Sequence, residues 1–247
     1  MAKIIVALRT LNEEILIPRF MAAYGWADLI VVADGGSTDR TLEMLQEYPN
    51  VVVYHFNEWV ENDKGGRRNP EGKHMNFLLD KAYQYDPDWL IQEDADTMMT
   101  PILRDNIRFI LENTKEMMVW APLMYIYGSD KWFPQLTGGD DFSPGKPGDN
   151  WTGAWAWHKT IKLAYDETPG AAEWTTAILS TPPVRVGSHR CLAYPYARLH
   201  YFCFTPELKN RKLALYQSSG QVKHDWIQTC GPLKDLPEWA SPTYYKP

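Results

Sequence analysis

Four short apolar runs, separated by polar turns and helix-like segments, set the main limit on how this chain can fold. Residues 3–8 (with Ile4-Ile5-Val6-Ala7-Leu8), Leu29-Ile30-Val31-Val32-Ala33, Val51-Val52-Val53-Tyr54 and Trp89-Leu90-Ile91-Gln92 are continuous rather than alternating in polarity. Strands of this kind are buried on both faces, as in a parallel sheet covered by helices. After the first run, Arg9 to Glu14 opens a segment expected to be helical to about Tyr24. After the second, Ser37 or Thr38 is placed to cap a helix carrying Leu42, Leu45 and Tyr48, with Asp39 in its first turn. The β-α-β-α-β order predicts an α/β fold with a mostly parallel sheet flanked by helices.

Residues 57–72 are polar and hold Gly65, Gly66, Pro70 and Gly72, so they read as a loop; a helix from about Lys73 to Tyr85 follows. Pro101 opens another, with Leu103, Ile107, Ile110 and Leu111 on one face. Met117 to Tyr127 and Trp155 to Tyr165 read as extended. Residues 134–153 are rich in Gly, Pro and Asp and read as a long loop, of a kind that is often functional or mobile. A short helix and strands are expected up to Tyr201, then a basic helix from Pro206 to Leu215. There is no repeat and no linker, so 247 residues are expected to form one domain. Its residues 1–100 would be a nucleotide-binding half, and residues 101–247 an acceptor-binding half with a C-terminal extension.

With 45% apolar residues a full core can be buried, and the 11 Trp and 14 Tyr are read first as core filling and second as sugar-stacking surfaces. The net charge of -6 does not favour nucleic acid as the main partner. Cys191, Cys203 and Cys230 are odd in number and form no C-x-x-C pair, which argues against a disulfide framework or zinc site and for a reducing, cytoplasmic setting. No apolar run approaches the roughly 18 residues of a membrane span, so membrane contact is expected to be peripheral at most.

In an open parallel sheet, ligands bind beyond the C-terminal ends of the strands. Three polar clusters fall on such ends: Arg9 to Glu14, Asp34 to Asp39, and Glu93 to Thr97. Asp94 and Asp96 are two apart, and on an extended segment they would share a face and repel unless a cation lay near them. Hard oxygen ligands suit magnesium or manganese, which would in turn bind nucleotide phosphates. Asp34-Gly35-Gly36 sets flexible backbone beside an acid, either as a tight turn or as a carboxylate facing a base or ribose. It is not the G-x-G-x-x-G fingerprint of a dinucleotide site. His200, between apolar residues and ahead of Lys209, Arg211 and Lys212, is either a core histidine or a third metal ligand.

These residues resemble the family 2 glycosyltransferases, which have the GT-A fold. Arg9-Thr10-Leu11-Asn12-Glu13-Glu14 is similar to that family's T-x-N-E-x segment. Val32 to Thr41 is similar to V-D-x-G-S-T-D-x-T, Gly72-Lys73-His74-Met75-Asn76 to the G-x-x-x-N helix, and Asp88 to Asp96 to D-W-x-x-x-x-D-A-D. His200-Tyr201 before a basic helix brings the chain nearest the small bacterial subgroup related to lipopolysaccharide-core glucosyltransferases. The resemblance covers residues 3–100 well and the rest only through spacing. Gly35 stands where the family often has a second acid, Met75 where it has a basic residue (Lys73 is placed to substitute), and Thr97 where the subgroup has Glu.

The resemblance implies an inverting transferase moving a sugar from a nucleotide diphosphate sugar, a UDP-sugar first, to a hydroxyl of a glycan, lipid-linked or other acceptor. Thr10, Asn12 and Glu13 would line the nucleotide pocket, Asp34 would contact the base, and Lys73 is a further candidate on the nucleotide side. Asp94 would approach ribose and metal, and Asp96, with His200, would hold Mn2+ or Mg2+. A general base is needed near the acceptor. Glu173, after Gly170-Ala171-Ala172 and beside Trp174, is the first candidate and Asp141 the second. The competing classes are a sugar-phosphate nucleotidyltransferase, disfavoured because no glycine lies between Arg9 and Glu13, and a non-catalytic carbohydrate-binding protein, which would not need a strand-end D-A-D.

Overall fold

The computed structural model describes residues 1–61, 67–128, 131–132, 155–165, 167, 176–179, 189–192, 195–203, 205–218, 234–235 and 237–240. In chain order the first half runs β1 (Ile4–Thr10), α1 (Ile17–Tyr24), β2 (Leu29–Asp34), α2 (Thr41–Gln46), β3 (Val51–His55), β4 (Val60–Glu61), β5 (Arg67–Arg68), α3 (Glu71–Tyr83) and β6 (Trp89–Asp94). The second runs β7 (Thr97–Met99), α4 (Pro101–Asn113), β8 (Met118–Trp120), β9 (Leu123–Tyr127), β10 (Lys131–Trp132), β11 (Ala156–His158), β12 (Lys162–Tyr165), β13 (Thr176–Leu179), β14 (His189–Cys191), β15 (Arg198–Cys203), α5 (Pro206–Ser218) and β16 (Lys234–Asp235).

A seven-stranded sheet has the order β14-β8-β11-β6-β1-β2-β3. Its β6, β1, β2 and β3 are mutually parallel, while β11 runs antiparallel to both β6 and β8. The chain leaves β1 toward β2 on one side and returns with β6 on the other, so the order reverses at β1. Loops on either side of such a reversal diverge and leave a crevice at the C-terminal edge.

The continuous apolar strands are buried on both faces, as expected. On β1, Ile4, Val6 and Leu8 join one core with Phe20 and Tyr24 of α1 and Leu103, Ile107 and Leu111 of α4. Ile5 and Ala7 join a second core with Met75, Leu78, Leu79 and Ala82 of α3. Each such fully buried aliphatic side chain contributes roughly 1.5–3 kcal/mol. The tryptophans also fill cores: Trp155 and Trp157 are fully buried, on opposite faces.

Several local expectations are corrected. The first helix starts at Ile17, not in the Asn12–Glu14 turn, because Asn12 takes a left-handed φ of 55°. Neither Ser37 nor Thr38 caps α2. That helix begins at Thr41, whose N–H donates to Asp39 Oδ1 at 3.0 Å, while the Ser37 hydroxyl turns to Asp34. The 57–72 segment contains the two-stranded β4-β5 pair, and α3 opens at Glu71. Met117 to Tyr127 is two strands in two sheets, separated at Ala121-Pro122, and Trp155 to Tyr165 is two strands separated by a turn. The second, five-stranded sheet has the order β16-β10-β9-β15-β7 and receives β7 after the turn at Ala95-Asp96.

Candidate active site

The C-terminal ends of β1, β2 and β6 deliver Thr10, Asp34 and Asp94 to one edge, where Thr10 is the register partner of Asp34 and Arg9 that of Asp94. The turns that follow are locked together by side chains. Asn12 Oδ1 accepts from the Thr38 N–H at 2.7 Å, and the Asn12 N–H donates to Ser37 Oγ at 2.8 Å. The Glu13 N–H donates to Thr41 Oγ1 at 2.7 Å. Asn12 is therefore a clamp between the first two strand-end loops.

Asp34 is fully buried and committed to its own turn. Its Oδ2 accepts from the N–H groups of Gly36 and Ser37, both at 2.9 Å, and its Oδ1 from the Ser37 hydroxyl at 2.5 Å. Gly36 has φ 98°, which excludes a side chain without strain. At Gly35 a Cβ would come within 2.5 Å of Asn69 Oδ1, so a side chain there would require Asn69 to move. Lys73 lies nearby on α3 but pairs with Glu58 at 3.1 Å.

Asp94 and Asp96 do not share an extended face. The strand β6 ends at Asp94, and Asp96 lies in the turn to β7, so the two carboxylates face different partners. Arg9 holds Asp94 through Nε at 3.0 Å and Nη2 at 3.3 Å, and holds Glu71 through Nη1 at 2.7 Å. Asp96 is 5% exposed. Its Oδ2 accepts from the Lys212 ammonium of α5, and its Oδ1 lies 3.4 Å from His200 Nδ1 without receiving a hydrogen bond of ordinary geometry. Burial pushes the Asp96 carboxyl up, but His200 and Lys212 outweigh it and hold it well below the usual carboxylate range. His200 Nδ1 is also 3.0 Å from Thr97 Oγ1. Thr97 is thus a partner of the histidine.

The Lys212 ammonium also reaches Glu13 Oε1 at 3.1 Å, and Arg211 reaches Glu13 Oε2 at 3.4 Å and Asp39 Oδ2 at 3.8 Å. Burial raises the Glu13 carboxyl against the pull of Lys212. The sequence marked α5 as a basic helix, but which of its residues meets Asp96 depends on how β15 sits beside β7, a long-range pairing with no local signal. Glu93, immediately before the D-A-D run, turns inward instead. It accepts from Tyr24 at 2.8 Å and Trp155 at 2.9 Å and pairs with Arg198 at 3.3 Å, and burial pushes its carboxyl up to about 7.

Among the described residues, Thr10 Oγ1 and Asp96 Oδ1 at this edge are buried side-chain oxygens without a hydrogen-bond partner. Unsatisfied buried oxygens are rare, and a water, an ion or a ligand is the usual partner that completes them. Among the described residues no group of three or more His, Cys, Asp or Glu side chains gathers as a metal cage. Asp96 with His200 offers a hard oxygen and an imidazole nitrogen side by side, which fits a divalent cation completed by waters and ligand oxygens. Glu173 and Asp141 lie outside the described residues, as does the whole 134–153 segment. Glu167 is exposed and accepts from Asn76 Nδ2 at 2.6 Å.

No family model matches the sequence, and no curated protein matches it. Among solved structures, the chain is similar to Staphylococcus aureus TarS crystallised with UDP-GlcNAc, with a TM-score of 0.50 and 13% identity over 80% of this chain and 58% of that one. TarS residues 1–349 give 0.49 and 15% over 92% and 68%. Glucosyl-3-phosphoglycerate synthase from Mycobacterium tuberculosis, crystallised with Mn2+, UDP and phosphoglyceric acid, gives 0.37 and 20% over 50% and 43%. The fold is mixed α/β of the GT-A type, with a mostly parallel central sheet flanked by helices. No helix among the described residues is long and apolar enough to cross a membrane.

Proposed function

We propose that this chain is an inverting, metal-dependent glycosyltransferase of the family 2 kind, taking a UDP-sugar as donor and a hydroxyl of a glycan or lipid-linked molecule as acceptor. The observation that carries the reading is the pair of unsatisfied buried oxygens, Thr10 Oγ1 and Asp96 Oδ1, at the C-terminal edge of a GT-A sheet. In this reading residues 1–100 form the nucleotide half and later residues the acceptor side. Thr10, Asn12, Glu13 and Lys73 border the nucleotide. Asp34 shapes the base pocket by fixing the Gly35-Gly36 turn, and Asp94, oriented by Arg9, faces the ribose. Asp96 and His200 would hold Mn2+ or Mg2+, and a bound divalent ion would offset the charge that develops on the leaving diphosphate. Arg211 and Lys212 add positive charge to the same region. Glu173, or Asp141 in its place, would take the proton of the acceptor hydroxyl.

The test is turnover of a panel of nucleotide sugars with manganese, with product identification. Transfer or hydrolysis of the sugar with release of UDP supports the reading. Release of pyrophosphate from a nucleoside triphosphate would replace it with nucleotidyl transfer, and binding without turnover would make the chain a carbohydrate-binding protein. Within the reading, Glu173→Gln should lower turnover by about two to four powers of ten with donor binding retained. If that variant is active and Asp141→Asn is not, the base lies in the 134–153 loop.

A further inference from the structure

The ammonium of Lys212 sits where a cation of Asp96 belongs. It contacts Asp96 Oδ2 and lies 3.1 Å from Glu13 Oε1, in a site where the lysine is 8% exposed. Two carboxylates at a buried position repel unless a positive charge lies between them, and here that charge comes from the protein itself. The same helix ties Arg211 to Glu13 and, at 3.8 Å, to Asp39. In this way α5 is fastened to the turns after β1, β2 and β6 at once. A divalent ion at Asp96 Oδ1 would sit within a few ångströms of the ammonium on Oδ2, and in a buried site two such positive charges repel each other strongly.

We propose that Lys212 is the resident counter-cation of Asp96 and that a divalent ion and Lys212 exclude one another there, the ammonium passing to the diphosphate of the nucleotide when the ion arrives. This rests on the nucleotide-sugar reading above. Without nucleotide, the incoming ion must displace a hydrogen-bonded ammonium from a desolvated carboxylate toward Glu13. With nucleotide present, the displaced ammonium gains an anionic partner of higher charge. Metal and nucleotide therefore strengthen each other's binding, and by linkage the factor is the same in both directions. The α5 segment is released from the strand-end turns in one state and drawn to the ligand in the other. Lys212 is in this account a gating residue whose effect is read in metal affinity, independently of turnover.

The experiment is a titration of Mn2+, followed by the electron paramagnetic resonance signal of the free ion, on the wild type, Lys212→Met and Lys212→Arg, each with and without UDP. Without UDP, Lys212→Met should bind Mn2+ on the order of tenfold more tightly than the wild type. It should also lose most of the enhancement that UDP gives, and Lys212→Arg should behave like the wild type. Equal Mn2+ affinity in wild type and Lys212→Met, or equal enhancement by UDP, overturns the exclusion. Should Lys212→Met fail to fold, hydrogen exchange of residues 206–218 in the wild type decides the matter. Exchange raised by Mn2+ alone and lowered again by UDP supports the proposal, and no change with either overturns it. UDP binding without any Mn2+ binding overturns the exclusion and leaves the nucleotide reading standing, whereas absence of UDP binding by the wild type overturns both.

Discussion

Arg9 and Asp94 are register partners on adjacent parallel strands, and one guanidinium spans both oxygens of the carboxylate at 3.0 and 3.3 Å. The same guanidinium reaches Glu71 at the start of α3, so it ties the central strand pair to the helix on one face. A planar fork matches a carboxylate in a way that a lysine does not. Arg9→Lys is expected to keep charge but lose the orientation of Asp94. Arg9→Met would leave two acids facing each other in a partly buried place. A double-mutant cycle of Arg9→Met with Asp94→Asn, read by urea unfolding, should give a coupling of about 1–3 kcal/mol. Coupling near zero would mean that the pair does not hold Asp94 in solution.

Asp96 is expected to tolerate change less well than a solvated strand-end acid, because it is buried and bonded to Lys212. Asp96→Asn keeps the shape and removes the charge that both Lys212 and a divalent ion would answer. Transferase activity should vanish in Asp96→Asn, and in the wild type treated with EDTA it should return on adding Mn2+ or Mg2+. Full activity in EDTA would remove the metal from the proposed function and leave Lys212 and Arg211 as the cations facing the diphosphate.

Much of this edge was legible in the sequence because its signals are local. Continuous apolar runs marked β1, β2, β3 and β6 within about a residue or two, and the polar clusters that followed each run are the clusters that meet at the edge. The D-x-D geometry was not legible, because an i, i+2 argument holds only while the strand continues, and here it stops at Asp94. Whether it continues is decided by β7 pairing with β15, about a hundred residues later. Ser37 fails to cap the helix, and the reason is local. A buried Asp34 three residues earlier competes for its hydroxyl, and burial makes that acceptor the stronger one. Arg198 gave no sign of its role, since only the packing of β15 brings it to Glu93.

That last pair gives a stability prediction away from the chemistry. Glu93 is enclosed by Tyr24, Trp155 and Arg198, and Arg198 is itself 7% exposed. Removing one partner of a buried pair leaves the other as an uncompensated charge, which costs about 3–5 kcal/mol. Glu93→Ala should therefore shift the urea midpoint strongly. Replacing both partners, Glu93→Leu with Arg198→Met, should recover a large part of the loss. A Glu93→Ala variant of normal stability would show that Arg198 finds another partner.

His74 sets the acid limit of the fold. Its ring stacks on Phe56 at 4.5 Å and its Nε2–H donates to the Ala33 carbonyl at 3.0 Å, buried against Gly35. Burial, with the Arg9 guanidinium nearby, pushes its pKa down to about 4 from an ordinary 6.5. The folded state thus binds this proton more weakly than the unfolded chain. Its contribution to stability is complete above about pH 6.5 and is lost as pH falls through about 4, a total of roughly 3 kcal/mol. Glu93 works the other way over part of this range. Its folded pKa of about 7 lies above the ordinary carboxyl value, so its contribution is present at low pH and lost as pH rises through about 7. The net slope of the wild type mixes the two, and the informative quantity is the difference between wild type and His74→Phe. That difference in unfolding free energy, measured from pH 7.5 to 4.5, should shrink steadily as the pH falls, because only the wild type carries the buried imidazole. A constant difference across the range would mean that His74 titrates normally in the folded protein, and that the ring is more open to water than its place against Phe56 implies.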